Sequence, residues 1–203
     1  QFKLDNGLNV ILHKDNSAPV INTTLMFHVG AKNEDNDKTG FAHFFEHLLG
    51  DETKNMKSGE WIKIESSNGG TGNAATSVDY TFYYSTMPSN NLKLALWRYS
   101  EIMLHPIINQ EGIDIQREAV KEEKRIRDNQ PYSRFYEALK SNLFQEHTYK
   151  NPLIGVPEHL DNAILQDFLD FRTKFYMPSN AVFVVAGDID TEKTKNLISE
   201  YFS

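Results

Sequence analysis

"TGFAHFFEHLLGDE", residues 39–52, strands two imidazoles and a carboxylate in an apolar run: between Phe41 and Leu49 only His43, Glu46 and His47 are polar. Thr39 is a candidate N-cap, and the pattern predicts a helix over residues 40–49. At about 100° per residue, positions 43, 46 and 47 fall near 0°, 300° and 40°, so the three side chains share one narrow face. A helix that is apolar on every other side is a buried helix, and polar groups buried with it need partners. One ion meets that need. Two neutral imidazoles one turn apart are spaced to bind a single Zn²⁺, and a carboxylate beside them is placed to accept a proton from water. The plain alternative is a pair of core histidines satisfied by hydrogen bonds; the glutamate in register and the apolar surroundings favour the metal.

A catalytic zinc requires a third protein ligand and an open position. The chain has no cysteine, so that ligand is His, Asp or Glu. The segment "EGIDIQREAVKEEKRIRDN", residues 111–129, reads as a helix with two adjacent candidates. Glu122 shares its face with Ile115, Glu118, Arg125 and Asn129, a solvated charge stripe. Glu123 shares its face with Gln116, Ala119, Val120 and Ile126, the stripe expected to face the core, where a carboxylate needs a cation. Phase therefore selects Glu123, against the alternative that it forms an internal salt bridge.

Around these two helices the sequence alternates between strand and helix signals. Asn6-Gly7 sits between two short alternating runs and predicts a hairpin, followed by a strand over residues 19–30. A short helix is predicted over 58–67, ending at Asn68-Gly69-Gly70, and two strands within "TGNAATSVDYTFYYSTMP", residues 71–88. Helices follow over 89–105, 109–129, 132–146 and 159–176, then a β-branched strand near 180–187 and a closing helix from Thr191. His13, His28, His105 and His159 read as surface or structural groups, His147 as a turn or packing residue, and Trp61 and Trp97 as core. The repeated Met-Pro-Ser-Asn at Met87 and Met177 is a shared turn signal and no more. The fold class expected is α+β: a mainly antiparallel sheet with helices packed on one face, residues 1–203 forming one domain.

A net charge of −7 without a Lys/Arg cluster argues against nucleic acid or an anionic membrane surface as the main partner. No apolar run approaches the roughly 18 residues of a membrane span. The chain begins at Gln1 rather than Met, and the expectation is a trimmed leader or a piece of a longer protein. If a leader precedes Gln1, the bacterial periplasm or cell envelope is the expected compartment.

The order His-x-x-Glu-His is that of inverted zinc-protease motifs. The chain resembles the pitrilysin and insulinase group of zinc peptidases, which includes the mitochondrial processing peptidase. The resemblance rests on "GFAHFFEHLL", on a glutamate separated from His47 by 75 residues, and on "SSNGGTGNAATSVDYTFYY". It continues through "AVKEEKRIRDNQPY", "EHTYKNPLIGVPEHL" and "FYMPSNAVFVVAGDID", and so spans essentially the whole chain. It implies zinc held by His43, His47 and Glu123, with Glu46 as general base for peptide hydrolysis. It also implies a substrate backbone added as a strand along Asn73, Ala74, Ala75 and Thr76. A homologous second domain or subunit completes the chamber in such enzymes, so this chain is expected to be the zinc-bearing half and weakly active or inactive alone. Two departures stand out. Many members carry a glutamate seven residues before the third ligand, where this chain has Gln116. Members also follow the second histidine with an aromatic-x-Gly-Thr turn, where this chain reads Gly50-Asp51-Glu52-Thr53. Rival readings are a non-catalytic peptide-binding or assembly subunit, disfavoured by the intact His-Glu-His set, and a purely structural zinc, which has no use for Glu46.

Overall fold

Strand alternation builds the first layer. A computed structural model describes residues 1–203 and contains six strands: β1 (Phe2–Lys3), β2 (Asn9–Lys14), β3 (Val20–Phe27), β4 (Thr71–Thr76), β5 (Thr81–Pro88) and β6 (Ala181–Gly187). They form one sheet in the order β1-β2-β6-β3-β5-β4, antiparallel throughout except for the parallel pair β2/β6. Ile21, Thr23, Leu25 and Phe27 of β3 alternate with more exposed neighbours, and register pairs them with inward residues of both adjacent strands. Leu25 thus lies between Phe183 and Tyr83, all three buried. β1 and β2 form the hairpin expected at Asn6-Gly7, where Gly7 adopts φ 94°.

Helices cover the inward face. They are α1 (Phe41–Asp51), α2 (Glu60–Ser67), α3 (Leu92–Leu104), α4 (Gln110–Asp128), α5 (Phe135–Leu143), α6 (Pro157–Asn162), α7 (Leu165–Phe175) and α8 (Thr191–Phe202). The core joins the inward strand residues to Phe41, Phe44, Phe45, Leu48 and Leu49 of α1, Leu96 and Tyr99 of α3, Phe168 of α7 and Phe202 of α8. Phe168 anchors α1: its ring stacks on Phe41 and lies against Phe44, each at 4.8 Å between centroids. Burying each such ring is worth roughly 1.5–3 kcal/mol, so three phenylalanines on α1 outweigh the cost of its few polar groups. No helix is long and apolar enough to cross a membrane.

Two local expectations are corrected. Thr39 does not cap α1: its hydroxyl accepts from the Val156 N–H and bonds to His159 Nδ1, tying the helix start to the loop before α6. Gly40, at φ 91°, is the N-cap residue, and a Cβ there would meet the Gly155 backbone at 2.7 Å. The orphan N–H groups of Gly40 and Ala42 instead donate to the two carboxylate oxygens of Glu34, both at 2.8 Å. The helix expected over residues 159–176 is interrupted, because Arg117 of α4 takes the Leu160 and Ala163 carbonyls at 2.9 and 3.1 Å. Asp167 then accepts from the Ile164 N–H and starts α7 afresh.

Glu34 has no cationic partner, and burial pushes its carboxyl up to about 8 against the lowering effect of its two N–H donors. A carboxyl raised in the folded state holds its proton there while the unfolded chain has lost it, so stability falls as pH rises from the unfolded value of about 4.3 through the folded one. We expect urea denaturation of the metal-free chain to show stability declining between about pH 7 and 8, above the unperturbed histidine range. Glu34→Gln should abolish that slope.

Candidate metal and catalytic site

The two faces of α1 do different work. Its phenylalanines lie against the core, while His43, Glu46 and His47 face β4 and α4. His43 is buried and His47 half-buried, with ring centroids 4.9 Å apart. Glu123 arrives from α4 with Oε2 3.5 Å from His43 Nε2 and 3.4 Å from His47 Nε2. These separations exceed a normal N–H···O hydrogen bond of about 2.7–3.2 Å. They match the edge of a tetrahedron whose bonds are about 2.0–2.2 Å, roughly 3.4 Å, the spacing of N and O ligands around one zinc. One donor atom from each of the three residues lies within 4.8 Å of the others. The donor set fits a divalent metal of the zinc type.

Burial prepares the protonation states. It pulls the His43 imidazole down to about 3, helped by His47 and by Arg127, so His43 is neutral and has a free lone pair. His43 Nδ1 is buried without a hydrogen-bond partner, which leaves ring packing rather than an outer carboxylate to orient this imidazole. Glu46 does not join the cluster around Glu123. Its Oε2 accepts from the Thr76 hydroxyl of β4 at 2.6 Å, and burial raises its carboxyl above the usual range despite that bond and the nearby His47.

The glutamate chosen from the sequence is the one the structure brings to the histidines, though the stripe that selected it is only partly buried. Val120 is buried and Gln116 half-buried, but Ala119 is exposed and Ile126 is 56% exposed. The Glu123 side chain is itself 43% exposed, because it lies where α4 passes the two imidazoles rather than beneath α1. Glu122 points away, paired with Arg125. Gln116 is not against the histidines either; its Nε2 donates to Asp51 at the end of α1.

β4, which carries Asn73, Ala74, Ala75 and Thr76, is the edge strand and pairs only with β5. The Ala74 N–H donates to Asn73 Oδ1. Between this edge and α1 lies a cavity of about 230 Å³, lined among others by Glu46, Gly50, Trp61, Ala74 and Arg98. Trp61, expected in the core, is half-buried on its wall with the Arg98 guanidinium 5.0 Å from its ring centroid. Another cavity, of about 220 Å³ near Glu34 and Lys38, contains none of the candidate site residues.

Sequence reasoning missed Glu34, the bonds made by Asp51 and the cavity wall. Their partners are set by tertiary contacts, and only the acid ahead of the helix was a usable signal. His159 is bonded to Thr39 and His147 accepts from the Tyr149 N–H in a turn, both as expected, whereas Trp97, expected in the core, is half-buried and outside it.

Comparison with known proteins places this site in context. The zinc protease PqqE of Helicobacter pylori is 34% identical over 201 residues, covering 98% of this chain and 45% of that protein. The crystal structure of a protease from Helicobacter pylori superposes with TM-score 0.94 at 34% identity, over 99% of this chain and 49% of that one. The periplasmic protease PqqL from Escherichia coli gives TM-score 0.90 at 26% identity, over 100% of this chain and 23% of that one. The chain thus spans about half the length of the curated relatives it matches. The family model for insulinase, peptidase family M16, matches residues 9–156, and that for the M16 inactive domain matches residues 162–203. With most of its length under the first of these models and its His-x-x-Glu-His helix facing Glu123, the chain belongs to the insulinase family of peptidases, family M16.

Proposed function

We propose that this chain is the zinc-bearing half of an endopeptidase that hydrolyses peptides or unfolded segments, with one zinc held by His43, His47 and Glu123. The observation that carries this reading is the separation of roles on α1. Two imidazoles and Glu123 converge at ligand spacing, while Glu46, on the same face, is held apart from them by Thr76. A structural metal site has no use for a fourth, uncommitted acid on that face. The family membership and the zinc proteases among its relatives support the same reading.

Bound zinc supplies a Lewis acid that polarises a carbonyl and brings the pKa of water toward about 7. The chain's own residues provide the rest. Glu46 takes the proton of the attacking water and returns it to the departing amine. Its carboxyl, raised by burial, is a stronger base than an exposed glutamate and a competent acid once protonated. The substrate backbone pairs with the free edge of β4 along Asn73 to Thr76, an added strand that runs past Glu46. Ala74 presents its N–H there once the Asn73 side chain gives way. The cavity beside Glu46 and Ala74 takes one substrate side chain. A homologous half closes the chamber from the other side, so this chain alone turns over substrate weakly or not at all. By analogy with the periplasmic PqqL, we place the protein in a bacterial cell envelope.

The rival is a subunit that binds peptide and assembles with a related chain without cleaving it. Glu46→Gln separates the two. In the complete protein this variant should keep about one equivalent of zinc by metal analysis while losing roughly 10²–10⁴ of peptidase activity. His43→Ala should lose both. A wild-type protein that binds zinc and peptide yet hydrolyses no unfolded substrate would establish the rival.

The edge pairing has its own test. Because the Ala74 N–H is bonded to Asn73 rather than to β5, Ala74→Pro removes a donor facing substrate and leaves the ladder intact. Circular dichroism should be unchanged and KM raised by about tenfold, one lost hydrogen bond, with kcat less affected.

A further inference from the structure

The two places where the chain departs from its family's pattern are far apart in sequence and touch in the fold. Gln116 Nε2 donates to Asp51 Oδ2 at 3.0 Å. Asp51 is the last residue of α1, one turn beyond His47; Gln116 lies on α4, two turns before Glu123. Apart from the approach of Glu123 to the imidazoles, this is the one side-chain hydrogen bond between the two helices. It therefore acts on the distance between the helix that carries two of the converging atoms and the helix that carries the third.

The carboxylate at position 51 is held from its other side. Its Oδ1 accepts from the Ser58 hydroxyl at 2.7 Å and the Gly59 N–H at 3.1 Å, both in the turn that leads into α2. With three donors around its two oxygens, the Asp51 side chain is fixed in place and aims Oδ2 at α4. The residue facing it must donate. Glutamine does; an ionised glutamate would set a second carboxylate at hydrogen-bond distance from the first, and the pair would separate or take up a proton.

We propose that Asp51 and Gln116 are a matched positioning pair that holds α4 against α1 so that Glu123 meets His43 and His47, and that glutamine stands at position 116 because aspartate stands at 51. The proposal rests on the metal reading above. It also inverts the simplest expectation from the family, that restoring a glutamate at position 116 strengthens the site.

The test uses zinc affinity, measured by competition with a chromophoric chelator, in the parent protein, Gln116→Glu, and the double variant Asp51→Asn with Gln116→Glu. The double variant reverses the polarity of the bond: the amide now at position 51 donates to the carboxylate now at position 116. Urea denaturation of the metal-free forms is measured alongside. We expect Gln116→Glu to bind zinc about tenfold more weakly, in line with other outer-shell changes, and the double variant to return to within roughly threefold of the parent. Metal-free stabilities should follow the same order. Gln116→Glu binding zinc as tightly as the parent or more tightly, or a double variant no better than the single one, overturns the pair. A parent that takes up no zinc overturns the metal reading instead, and the three metal-free stabilities then judge the pair by itself.

Discussion

Everything at this site depends on one helix being buried on one side and chemically available on the other. Phe41, Phe44 and Phe45 fix the rotation of α1 about its axis by packing on Phe168, Phe171 and Tyr176. A helix rotation of one residue, about 100°, would exchange phenylalanines for histidines in the core. The penalty for that exchange, several kcal/mol of lost apolar burial and stranded imidazoles, makes the orientation of His43, Glu46 and His47 a consequence of packing. Their position along the axis is set at both ends. Glu34 holds the first N–H groups, and Asp51 ties the last residue to α2 and α4.

The same burial sets the chemistry. A solvent-exposed His-Glu-His set would carry partly protonated imidazoles and a fully ionised glutamate near neutral pH. Here desolvation moves the two kinds of group in useful directions: His43 becomes neutral and able to ligate, and Glu46 becomes more basic. Glu123 remains partly exposed and offers its Oε2 to the space between the two imidazoles. Its exposure is the price of reaching across from α4, and it leaves that side of the cluster open to solvent.

How far the sequence reveals this depends on how local each cause is. The face of α1 was legible because a run of phenylalanines interrupted at 43, 46 and 47 encodes both the burial and its exception. The strands were legible from alternation, and the register of β3 with β5 and β6 follows from which face each buries. Glu123 was found by spacing and by phase, although Ile126 proved exposed where a buried stripe was expected. The break between α6 and α7 was not legible: its cause, Arg117, lies more than forty residues upstream on another helix. The Thr39 cap failed for a related reason, since Ser and Thr are good caps by propensity, yet here His159 and Val156 claim the hydroxyl.

The free edge of β4, proposed above to pair with substrate, raises a problem that any such strand must solve. An exposed edge is a template for the wrong partner as well as the right one. This strand is six residues long, "TGNAAT", with no large apolar side chain, so it offers a chance partner little beyond its backbone. The small residues also leave space for a second backbone to approach. The Asn73 side-chain Oδ1 occupies the Ala74 N–H until something displaces it. On the proposed reading a partner must therefore bring more than backbone hydrogen bonds, and the cavity beside Glu46 is where its side chain would supply the difference. Selectivity on this edge would then arise from requiring both at once, which would confine stable pairing to the place where the acid stands.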